Sequence, residues 1–89
     1  MTGKERAALR AQANGLDAIF QIGKEGVTDA LKDGVDSALK KRELIKLSVL
    51  ETSGMTAREA ADELSRATGS DVIQVIGRRF VLYRKKEED

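Results

Sequence analysis

Neither cysteine nor histidine occurs in this chain of 89 residues. The first absence excludes disulfides and thiolate metal sites. The second removes the commonest metal ligand and the commonest general base. The reading is of a non-enzyme, with no catalytic residue, no metal site and no cofactor. No apolar run approaches the roughly 20 residues of a membrane span. The opening "MTGKERAALR" is charged and has no apolar segment behind it, so it does not read as a signal peptide. A cytoplasmic protein is expected, with no membrane contact and no small-molecule substrate, working as a monomer. The length suits one domain over residues 1–86, closed by an acidic end at 87–89.

Charge is nearly balanced overall, at +1, but it is unevenly distributed. "RRFVLYRKK" places five cations, Arg78, Arg79, Arg84, Lys85 and Lys86, in a run without an acid. Lys40, Lys41 and Arg42 form a second cluster, and Lys4, Arg6 and Arg10 a third. Local fields attract phosphate, so clustering matters more than the total. Any one cluster alone reads as a solvated face.

Apolar periodicity supplies the organisation. "KERAALRAQA" (residues 4–13) favours helix, and Asn14-Gly15 would end it in a left-handed conformation. "AIFQI" (Ala18–Ile22) reads as a short strand bounded by Gly23. Thr28 can cap a helix with Asp29 in its first turn, and Leu31, Val35, Ala38 and Leu39 then share one face. Gly34 stands inside that helix at a cost of about 1 kcal/mol relative to Ala, which close packing could explain. "LIKLSVL" alternates, with Ile45, Leu47 and Val49 on the buried side and Lys46 and Ser48 on the solvated one. Thr56 and Glu59 make a capping box for a helix with Ala57, Ala60, Ala61, Leu64 and Ala67 along its stripe. "DVIQVI" and "RFVLYR" read as strands joined by a type II′ hairpin at Gly77-Arg78. The order α-β-α-β-α-β-β predicts an α/β sandwich with a mixed sheet, open on part of one side.

The stretch "FQIGKEGVTDAL" joins a strand to a helix N-terminus through Gly23, Lys24, Glu25 and Gly26. Free amides and the positive end of the helix dipole make such a junction a potential anion site. It lacks the spacing of a P-loop or a dinucleotide fingerprint, so a nucleotide hydrolase is unsupported. The alternative is a tight turn in which both glycines supply positive φ, and Glu25 and Asp29 favour it by competing for the dipole. From the residues alone, both readings stand. Base stacking on the sheet is not expected, because Phe20, Phe80 and Tyr83 are the only aromatics and read as core or hairpin packing. Any nucleic-acid contact should be with backbone and shape.

"IGKEGVT", "RELIKL" and "VIGRRFVLYR", in that order and spacing, resemble the CRM (chloroplast RNA splicing and ribosome maturation) domain family, and most closely its stand-alone bacterial YhbY-type members. The resemblance covers about residues 2 to 86. It implies a compact fold with a four-stranded mixed sheet, similar to the C-terminal domain of translation initiation factor three. It also implies RNA binding through the G-x-x-G loop, Gly23, Lys24, Glu25 and Gly26, and a neighbouring basic surface that includes Arg42, Arg78, Arg79 and Arg84. The RNA implied is that of the large (50S) ribosomal subunit or its precursor particle. Two departures stand out. Asp17-Ala18 occupies a place where members often have proline, and Glu25 is an acid where they often carry a neutral or small residue.

Together these readings assign RNA contact to the loop, to Lys40, Lys41 and Arg42, and to Arg78, Arg79, Arg84, Lys85 and Lys86. Lys46 is a lesser candidate for the same contact and reads first as a solvated strand position. Two other classes remain in view. One is a winged-helix DNA binder, with "TAREAADELSRATGS" as a first helix and turn, although "DVIQVIG" suits a strand better than a recognition helix. The other is a protein-interaction module.

Overall fold

Alternation in β2 (Leu44–Val49) organises the molecule. A computed structural model describes residues 2–85. Ile45, Leu47 and Val49 point into the main core, where they meet Val35 and Leu39 of α2 (Asp29–Arg42) and Leu64 of α3 (Ala57–Thr68). Both helices start where their capping residues require. Thr28 Oγ1 accepts the Leu31 amide at 3.1 Å, and the Thr56–Glu59 box is closed in both directions. Strand β1 (Ala18–Ile22) lies parallel to β2. The hairpin of β3 (Asp71–Ile76) and β4 (Arg79–Tyr83) completes a sheet of order β1-β2-β4-β3, with β4 antiparallel to both neighbours.

The other sheet face is covered only in part. Leu9 and Ala13 of α1 (Gly3–Ala13) pack over Leu44, Ile73, Val81 and Tyr83. Arg6 Nη1 donates to the Val72 carbonyl at 2.6 Å and ties α1 to the edge strand. The rest of that face is open, as expected for a helix of 11 residues over a four-stranded sheet.

Two details correct the sequence reading, and others agree with it. Asn14 keeps right-handed backbone angles (φ −59°, ψ −27°), so α1 ends without a left-handed residue. Ala67 is exposed, and Thr68 takes its place on the buried stripe of α3. Its hydroxyl donates to the Leu64 carbonyl at 2.7 Å and shares a hydrogen bond with Ser70, which satisfies the buried oxygen. Residues 71–76 form a strand, so the winged-helix reading loses its recognition helix. Gly34 has its packing reason: a Cβ there would lie 3.3 Å from Phe20 Cε1, so the ring closes against the helix backbone. Phe80 is fully buried and Tyr83 half-buried against α1.

Candidate functional site

Strand direction decides which loops meet. β1 and β2 end at the same edge of the sheet, and the β3–β4 turn lies there too. The Leu50 amide donates to the Ile22 carbonyl at 2.9 Å, and the Val49 amide to the Arg78 carbonyl at 2.7 Å. The Gly23–Gly26 loop, the residues after β2 and the Gly77-Arg78 turn are thereby fixed side by side. At this edge a 3-10 turn (Glu51–Ser53) leads to α3, a feature the sequence reading treated as a plain turn.

The loop itself is a β-turn, closed by the Gly26 amide on the Gly23 carbonyl at 2.9 Å. Only Gly26 has positive φ, +69°; Gly23 does not, so the two glycines have different reasons to be there. Gly26 packs near Met55 Sδ, and Gly23 near Leu50 Cδ1. The turn uses the Gly26 amide, whereas the Lys24 and Glu25 amides take part in no hydrogen bond among the described residues. Both side chains at the tip are exposed. Beside the loop lies a shallow depression of about 390 Å³, bordered by Gln21, Lys24, Thr28 and Leu31.

The hairpin brings two cations to this edge. Gly77 has φ +57° and Arg78 does not have positive φ, and Ile76 faces Arg79 across a two-residue loop. That fits the type II′ turn. Arg78 Nε lies 3.8 Å from Glu51, an exposed and weak pairing. Arg79 and Lys24 have no ion-pair partner among the described residues.

The remaining cations expected at the site lie at the opposite edge. Lys40, Lys41 and Arg42 form the last turn of α2, and Lys85 follows β4. The Arg84 amide donates to the Glu43 carbonyl at 2.9 Å, so this cluster adjoins the start of β2. The two edges are separated by the length of β4, about 17 Å for five residues. Lys40 pairs with Asp36 at 3.4 Å, while Lys41, Arg42 and Lys85 are exposed. Lys86 and the acidic end lie outside the described residues.

Arg84 differs from the others. Its Nη1 donates to Asp36 Oδ1 at 2.6 Å and to the Thr68 carbonyl at 2.8 Å, and its Nη2 donates to the Asp36 carbonyl at 3.0 Å. It joins α2, α3 and the end of β4, and its side chain is 22% exposed. That arginine holds the fold together. Its hydrogen bond also lowers the pKa of the Asp36 carboxyl, with a smaller contribution from Lys40 and against a desolvation effect of opposite sign.

Lys46 reads from sequence first as a solvated strand position and second as an RNA contact. It is half-buried on the open sheet face and has no ion-pair partner among the described residues. Ser48 lies directly opposite Arg79 on the same face. Period-two alternation places Lys46 on this face, but only strand order reveals its neighbours. Among the described residues there is no cluster of metal-ligating side chains, and no helix is long and apolar enough to cross a membrane.

The chain as a whole is similar to known proteins. The CRS1 / YhbY (CRM) domain model matches residues 1–84. The chain is 39% identical over 89 residues to the "Probable RNA-binding protein YqeI" of Bacillus subtilis, covering 100% of this chain and 93% of that one. It is 30% identical over 88 residues to a Haemophilus influenzae protein named "RNA-binding protein", covering 99% and 89% respectively. The solution structure of SAV1595 from Staphylococcus aureus superimposes with a TM-score of 0.78 at 40% identity, over 100% of this chain and 93% of that one. On this fold, with this loop and hairpin at one end of the sheet, the chain belongs to the CRS1 / YhbY (CRM) domain family.

Proposed function

We propose that this protein binds RNA without catalysis and grips phosphates at the edge where the Gly23–Gly26 turn meets the Gly77-Arg78 hairpin. The observation that carries the reading is this convergence, fixed by the Ile22–Leu50 and Val49–Arg78 backbone bonds. It puts the free Lys24 and Glu25 amides, the Lys24 ammonium and the Arg78 and Arg79 guanidinium groups on one border. Gly23 lets a phosphate approach the backbone closely, because no Cβ stands in the way. The names of the relatives support RNA as the ligand class. Lys41, Arg42 and Lys85, at the other edge, offer a second contact for an extended or folded RNA.

The RNA is that of the large ribosomal subunit or its precursor particle, and the protein acts in that subunit's assembly in the cytoplasm as a monomer. Crosslinking in cells followed by sequencing tests this; enrichment of large-subunit ribosomal RNA is expected, and a spread over messenger RNA would overturn it. The mechanism has its own test. Three cations on phosphates, Lys24, Arg78 and Arg79, should give a log–log salt slope between about −2.1 and −2.7. A slope near zero would remove the phosphate grip.

A further inference from the structure

The uncovered half of the α1-side sheet face is built differently from the loops beside it. Register sets out two rows of side chains across it. Gln21 is beside Ser48, Ser48 is opposite Arg79, and Arg79 is opposite Ile76, so one row crosses all four strands. The next row runs through Ala18, Lys46, Val81 and Gln74. Asn14, at the end of α1, borders two adjoining depressions on this face. The larger has a volume of about 490 Å³.

The composition of this face is specific. Lys46 and Arg79 are the cations lining these two depressions, and neither has an ion-pair partner among the described residues. Asp17, on the rim beside Leu16, is the only carboxylate lining either depression. Between the cations stand neutral groups that both donate and accept: Gln21, Gln74, Asn14 and Ser48. Ile76, 63% exposed, adds an apolar surface at the hairpin end. Carboxamides match the edges of bases, whereas cations match phosphates. The face is also continuous with the loop edge, because Arg79 borders both.

We infer that this open sheet face holds a short stretch of single-stranded RNA, with Lys46 and Arg79 on its phosphates and Gln21, Gln74 and Asn14 reading base edges. The inference rests on the RNA-binding reading and extends it from grip to selectivity. Sequence-specific reading favours a single strand here, since the Watson–Crick edges of bases are available only where a strand is unpaired. A row of four strands at about 4.8 Å spacing spans about 14 Å, room for a few nucleotides rather than a helix.

The test is selection by the full-length protein from a pool of random single-stranded RNA 20-mers, with binding to a fixed RNA hairpin measured in parallel. Wild-type protein is expected to enrich a short motif. Gln21→Ala/Gln74→Ala should flatten that enrichment while leaving hairpin affinity within about twofold, because amides select and do not supply the charge attraction. Lys46→Gln/Arg79→Gln should weaken all single strands by about tenfold regardless of sequence. Gln21→Glu, at an exposed edge-strand position, probes the face by repulsion and does not depend on a truncated side chain. Absence of any enriched motif, or enrichment unchanged in Gln21→Ala/Gln74→Ala and Gln21→Glu, overturns the inference. In those cases hairpin binding that still falls with Lys24→Ala leaves the loop reading standing. Wild-type protein that binds neither RNA defeats both.

Discussion

Arg84 and Asp36 are joined at 2.6 Å, 48 residues apart in sequence, and the same guanidinium also takes the Thr68 and Asp36 carbonyls. One residue of the basic run is thus a tie between helices, while Arg78, Arg79 and Lys85 face solvent. Arg84→Ala should lower stability by on the order of 1–3 kcal/mol, since the Thr68 and Asp36 carbonyls lose a charged donor. For a domain of this size that is a fall in Tm of roughly 4–8 °C per kcal/mol. Arg79→Ala, tested alongside, should leave Tm nearly unchanged and weaken RNA binding. The reverse pattern would exchange their roles.

The same pair sets an acid limit. Hydrogen bonding to Arg84 holds the Asp36 carboxyl below the usual carboxylate range in the folded protein. A depressed folded pKa contributes stability that is fully present above the unfolded pKa and lost as pH falls through the folded one. Thermal midpoints should therefore drop in acid, and Asp36→Asn should show a shallower drop than wild type. Identical acid slopes in the two proteins would assign the acid sensitivity to other carboxylates.

The two glycines of the loop should separate stability from binding. Gly26→Ala puts a side chain at φ +69° and should cost about 1–2 kcal/mol in urea unfolding. A Cβ on Gly23 would be 3.9 Å from Leu50 Cδ1, an ordinary contact, so Gly23→Ala should unfold like wild type. If phosphate approaches the backbone there, Gly23→Ala still loses affinity for the RNA hairpin by several fold. Unchanged affinity would mean that Gly23 serves only the chain.

Gly34 offers a test of packing against propensity. Alanine gains about 1 kcal/mol in a helix interior, but its Cβ must push Phe20 aside by a few tenths of an ångström from a 3.3 Å approach. The two effects should nearly cancel for Gly34→Ala in urea unfolding. Gly34→Val, with more volume against the ring, should destabilise by about 1–3 kcal/mol. Gly34→Ala/Phe20→Leu recovers the helix gain if the ring is the obstacle, and shows no recovery if it is not.

Local signals were legible wherever the deciding contact is local. Thr28 and the Thr56–Glu59 box bond within their own first turns, and the Gly77-Arg78 hairpin needs only a tight turn. The β2 alternation followed from period two. What stayed hidden depends on distant partners. Nothing near Arg84 distinguishes it from Lys85, because its acceptors come from α2 and α3. Strand order, which puts β4 between β2 and β3, is likewise invisible in element order, and it gives Lys46 and Arg79 a common face. Thr68 replaced Ala67 because alanine is small enough for either side, whereas the hydroxyl found a helical carbonyl in the core.

The strand length between the two basic edges has an electrostatic consequence. About 17 Å of sheet exceeds the screening length of about 8 Å at physiological ionic strength. Lys41, Arg42 and Lys85 therefore do not share a field with Lys24, Arg78 and Arg79. The net charge of +1 sums all cations and acids of the chain and conceals these two separate basic ends. An RNA segment docked at one end neither repels nor recruits charge at the other, so each end is free to meet a different part of a folded RNA.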